Sequence, residues 1–178
     1  MRERLPTSQE VLQVYAVIAV MLSGWTITAF LWKLSAWLLI LNVGEIFTIF
    51  SYAMATNLVE SLILLLLLLM SCVLLPPHLL RDEFVTRGAI ISIGLIGSLM
   101  AFVGFLMHFG IESGLKLLIG PLVVLLLTGF LLGSSKIRFL RFIHSSILWI
   151  SDRMIVFLYI LIPLFVFLSA YVIFRNLA

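Results

Sequence analysis

From Leu62 to Leu69 the chain is an unbroken aliphatic run, and the stretch that contains it, Asn42 to Leu75, is bounded as a helix is. Asn42 stands three residues before Glu45, the reciprocal pattern of a capping box, and Pro76-Pro77 stop any helix that reaches them. A helix over this span is roughly 50 Å long at 1.5 Å per residue, against a hydrocarbon core of about 30 Å. It must tilt, project from the bilayer, or break near Ala55-Thr56-Asn57. At 100° per residue Glu45, Thr48, Tyr52, Thr56 and Glu60 fall within about 120° of one another. Such a polar stripe on a greasy helix is expected to face protein or water and not lipid.

Composition makes this stretch the rule and not the exception. Hydrophobic residues are 63% of the 178 and charged residues 11%, where a soluble domain carries about 25% charged. The apolar segments are continuous, whereas the strands of an outer-membrane barrel would alternate apolar and polar residues. The expected fold is therefore all-α, an integral membrane helical bundle forming one polytopic domain over 1–178, with no soluble domain at either end. The single cysteine, Cys72, has no intramolecular disulfide partner and reads as a packing residue.

Five spans are expected, at about 11–32, 43–75, 88–108, 117–133 and 154–174. Thr7 and Glu10 repeat the capping pattern ahead of the first span, which is too long, and lacks the cleavage pattern, for a signal peptide. Segment 34–41 is too short to cross and reads as an interfacial or re-entrant piece beside an anchor cluster of Trp25, Trp32, Lys33 and Trp37. A six-span alternative divides the region into Leu34–Ala53 and Leu58–Leu75. Lys136, Arg138 and Arg141 alternate with apolar residues in a basic connector, expected to lie along anionic headgroups ahead of Asp152-Arg153, a self-paired cap of the last span; Arg153 is a further lipid contact.

With five spans, Arg2, Arg4, Arg81, Arg87, Lys136, Arg138, Arg141 and Arg153 share one side, and Lys33, Lys116 and Arg175 the other. Eight against three places the N-terminus in the cytoplasm and the C-terminus outside, in a bacterial-type cytoplasmic membrane. Six spans weaken the count to seven against four.

Chemistry-bearing residues are few. Glu60, with Tyr52 and Glu45 on the same stripe, is the candidate intramembrane polar site, because a carboxylate at that depth needs a partner, water or a proton. Glu45 doubles as a cap. Gly94, Gly97, Ser98, Ala101 and Gly104, and the GxxxG of Gly129 and Gly133, are small-residue seams that let a helix approach closely. His108 has no second histidine or cysteine at ligand spacing, so no metal or other cofactor is implied. Ser98 and His108 lie about 15 Å apart on one helix and cannot form a nucleophile–base pair. No internal repeat marks an inverted-repeat transporter. Nucleic acid is not an expected partner; the bilayer, other membrane chains or further copies of this one are.

The expectation is a non-enzymatic accessory or structural subunit packing against larger membrane proteins through its glycine faces. The alternative from another class is a small transporter or proton-coupled channel titrating at Glu60. A lipid-modifying enzyme using Glu45 or Asp152-Arg153 near a headgroup is a third reading.

Overall fold

The structure, a computed structural model, describes residues 6–74, 83–109, 114–133 and 138–177, the side chains of 107–109, 114–117, 130–133 and 138–144 excepted. Every described element is an α-helix: α1 Ser8–Trp37, α2 Val43–Leu74, α3 Phe84–Phe109, α4 Gly114–Gly133 and α5 Arg138–Leu177. α1, α2, α3 and the Ser145–Leu177 part of α5 are each long and apolar enough to cross a membrane. The described apolar part of α4, Leu118–Gly129, is shorter, although the whole helix reaches about 30 Å. The protein is thus a helical membrane bundle.

Both capping boxes form. The Thr7 hydroxyl accepts from the Glu10 N–H at 3.4 Å, while Glu10 Oε2 accepts from the Thr7 N–H at 2.7 Å. Asn42 and Glu45 make the same exchange at 2.9 Å in each direction. Each box satisfies end-of-helix donors that would otherwise be orphaned at the membrane boundary.

Between these ends α2 runs unbroken from Val43 to Leu74, so the break considered at Ala55–Asn57, which the six-span alternative needs, is absent. Its polar residues do not pull the backbone out of the helix. Thr56 Oγ1 donates to the carbonyl of Tyr52 one turn back, at 3.0 Å, and Asn57 Oδ1 accepts from Thr26 of α1 at 3.0 Å. Segment 34–41 is likewise no separate element. Nothing after Lys33 breaks a helix, so Leu34–Trp37 complete α1, and a turn closed by Leu41 N–H to the Trp37 carbonyl at 2.7 Å leads into α2. From Arg138 on, the basic connector and the last span also merge, as α5, a single helix about 60 Å long.

Successive helices alternate in direction. Thr26 meets Asn57, Phe105 lies beside Gly120, and Thr48 lies beside Arg175, so α2 runs against α1 and α5, and α4 against α3. Val14 against Gly88 and Gln13 against Asp152 bring the early parts of α1 and α3 level with the same depth of α5.

The centre of the bundle is α1, which packs on α2, α3 and α5. Six consecutive residues, Val14 to Ala19, are all buried, which a helix achieves only when covered on every side. One apolar cluster joins Val14 and Ile18 to Leu68, Cys72, Phe84 and Ile96; a second joins Tyr15, Ala16 and Ala19 to Met54, Leu158, Phe165 and Leu168. Buried serines fill narrow gaps, and most satisfy their hydroxyls within their own helix, whereas Ser23 and Ser169 Oγ have no partner among the described residues. Ser51, Ser61, Ser92 and Ser151 donate to carbonyls three or four residues back, at 2.7–2.8 Å.

Candidate functional site

Helix periodicity sets the polar stripe of α2 apart from the face that its neighbours bury. The buried face carries Thr48, Ser51, Met54, Asn57, Ser61, Leu68 and Cys72. Of the stripe, only Thr48 is buried; Glu45, Tyr52, Thr56 and Glu60 are exposed. Apart from Thr48, then, the stripe is left uncovered by the chain's own helices. α1 and α5 take the arc beside it, where Ser51, Asn57, Ser61 and Cys72 are small enough to let helices approach closely, and leave Leu62, Leu66 and Met70 exposed.

Three different environments result for the three candidate residues. Glu45 closes the N-terminal cap of α2. The Tyr52 hydroxyl donates to Asn176 Oδ1 at 2.7 Å, tying α2 to the end of α5. Glu60 stands alone, about 26 Å along α2 from Val43 and about 21 Å from Leu74, with no hydrogen-bond or ion-pair partner among the described residues. Val59, Ile63 and Leu67 share its outward surface. A carboxylate so placed costs on the order of 2.5–3.5 kcal/mol on insertion scales and gains nothing from its own chain.

About 10 Å along α2 from it begins a groove between α1 and α2, of about 180 Å³, lined by Trp25, Ala29, Lys33, Trp37, Ile49 and Ala53 among others. Ile49, Ala53, Thr56 and Glu60 fall within about 60° of one another on α2, so the groove and the carboxylate face the same way. The alanines leave room along the seam, and Lys33 closes its far end near the membrane boundary.

At that boundary a polar clasp joins α2 to α5. Arg175 Nη1 donates to Thr48 Oγ1, which lies 3.2 Å from the Tyr171 hydroxyl, while the Tyr171 ring meets Phe47 edge-on with centroids 5.0 Å apart. Sequence reading passed over Tyr171, Arg175 and Asn176. The available signal was a matched i, i+4 spacing, Thr48/Tyr52 on one helix and Tyr171/Arg175 on another.

The glycine seams are used mainly inside the bundle. A Cβ on Gly94 would overlap the Thr128 side chain, one on Gly120 would lie 2.6 Å from Phe105, and one on Gly97 would touch Val124 at 3.6 Å. α3 and α4 therefore approach through this face, with Ser98 buried and donating to the Leu95 carbonyl at 2.8 Å, and Ala101 partly buried. Gly104 and Gly129 face open space. The side chains at His108 and Gly133 lie outside the described residues.

Of the lipid-contact candidates, Lys136 and the side chains of Arg138 and Arg141 also lie outside them. Arg153 stacks over Trp149 at 5.3 Å, and Asp152 accepts from Gln13 Nε2 at 3.5 Å. The expected self-pairing of Asp152 with Arg153 gives way because adjacent residues on a helix point about 100° apart, toward different neighbours. Among the described residues no group of histidine, cysteine and carboxylate side chains is arranged to hold a metal ion.

Comparison of the chain with protein-family models, curated proteins and solved structures returned no match. What distinguishes this membrane bundle chemically is the outward-facing carboxylate on α2.

Proposed function

We propose that the chain is a non-enzymatic accessory or structural subunit of a cell-membrane assembly, and that it meets its larger partner on the α1–α2 face bearing Glu60. The carrying observation is the exposure of Glu60 midway along α2 without a partner among the described residues. A carboxylate serving the fold would be turned inward, toward Asn57 and Ser61, which are buried one face away. Turned outward, it is stabilised by whatever chain covers it. The groove further along α2 supplies shape for a helix to follow.

The partner surface then lies on this side of the hairpin and not on the glycine seam, where Gly94 and Gly97 are occupied by the contact of α3 with α4. Transport through the bundle asks for Glu60 beside an internal passage, and its outward position lends that reading no support. Nor do Glu45, engaged in a cap, and Asp152 and Arg153, engaged with Gln13 and Trp149, favour headgroup chemistry.

In the proposed orientation the N-terminus is cytoplasmic and the C-terminus outside, supported by the basic residues of the sequence and the alternating helix directions. Native mass spectrometry of the protein extracted in mild detergent from its own membrane tests the function. The expected result is a stoichiometric complex with another membrane chain, lost in Glu60→Leu. A complex that survives the substitution, or a monomer in the wild type, would overturn the reading.

A further inference from the structure

We infer that the face around Glu60 binds a transmembrane helix of another protein that carries an arginine or lysine at mid-membrane depth. This rests on the subunit reading and names the chemistry of its partner. Two observations decide between this occupant and a second copy of the chain.

The first is depth. The Thr26–Asn57 hydrogen bond between antiparallel helices puts Glu60 level with Ser23. Gln13 marks the depth of Arg153, and Val14 that of Arg87, each about 15 Å toward one end of α1 from Ser23. Lys33 is about 15 Å toward the other end, and Arg175, level with Thr48, about 18 Å. No described cation of this chain stands at the depth of Glu60.

Symmetry is the second. Copies sharing one orientation in a membrane bring like residues to like depth, so a second copy would offer Glu60 another glutamate. Two carboxylates repel, whereas a cation from another chain offsets the cost that each charge carries alone in lipid. Arginine or lysine on a partner helix lying in the α1–α2 groove supplies that charge, with Ala29 and Ala53 allowing the close approach.

The test uses the full chain in phosphatidylcholine vesicles and three tryptophan-free polyleucine helices carrying a dansyl group. One helix has a central arginine, one an arginine near its end, and one none. Energy transfer from the native Trp25, Trp32, Trp37 and Trp149 reads association. The central-arginine helix is expected to bind at least about tenfold more tightly than the others, with the preference abolished in Glu60→Leu and in Glu60→Gln. Circular dichroism checks that both variants remain helical. Equal binding of all three helices would overturn the partner chemistry, as would Glu60-dependent self-association of the protein without peptide. Native mass spectrometry separates this from the broader reading: if the native complex still requires Glu60, the subunit role stands and only the cation is wrong. If it does not, both fall.

Discussion

Glu60 and the Thr48 clasp differ in what their removal should do to the isolated protein. Because Glu60 makes no contact that holds its own helices together, Glu60→Leu is expected to leave the unfolding midpoint unchanged or raised. Steric-trap or SDS titration of the purified protein reads this, and a large destabilisation would show an internal role. Thr48→Val should act in the opposite direction. It removes the hydroxyl shared by Tyr171 and Arg175 and should cost about 0.5–1.5 kcal/mol. A double-mutant cycle with Tyr171→Phe should show coupling, since both substitutions break one interaction. The Asn42–Glu45 box and the lone Glu60 were visible as residues in the sequence. Which way Glu60 points was not, because a stripe of polar residues at helical spacing defines a face without saying what covers it.

Between elements, the clearest division lies between glycines that a neighbour has closed off and those it has not. Gly94→Leu would drive a side chain into Thr128 and push α4 from α3, costing about 1–3 kcal/mol or more. Gly104→Ala meets open space and should be neutral or stabilising by up to about 1 kcal/mol, as it removes a helix-weakening glycine. The same unfolding titration applied to both would undo this assignment if their order reversed. Spacing marked both glycines equally as seam residues. What separates them is the side chain opposite: Thr128 stands over Gly94 and none over Gly104, which follows from the packing of the pair.

For the whole molecule, α1 is the hub and α4 the outlier. α1 touches α2, α3 and α5, whereas α4 packs chiefly on α3 and exposes Leu118, Leu122, Val123 and Leu126. Hydrogen exchange in detergent should accordingly show α4 amides opening first and Val14–Ala19 last. Protection of α4 equal to that of α1 would contradict the hub arrangement. In the orientation proposed, cysteines introduced at Ser8 and Asn176, in a background where buried Cys72 is replaced by alanine, should label from opposite sides of the membrane. Labelling from one side would exclude an odd number of crossings.

By itself the sequence determined the class of protein, both capping boxes, the end of α2 near Pro76 and the location of most helices. These follow from local chemistry, since a lipid solvent forces each apolar segment to satisfy its own backbone and cap residues act within one turn. Tertiary structure alone decided that α1 and not the longer, greasier α2 sits at the centre, that the glycine seam serves α3 and α4, and that Glu60 faces outward. In a bilayer every helix is apolar all round, so hydrophobic patterning cannot choose an inner face. The choice falls to shape: small residues such as Ala16, Ala19 and Gly94 sit where helices approach closely, and how those surfaces fit is a property of pairs of helices.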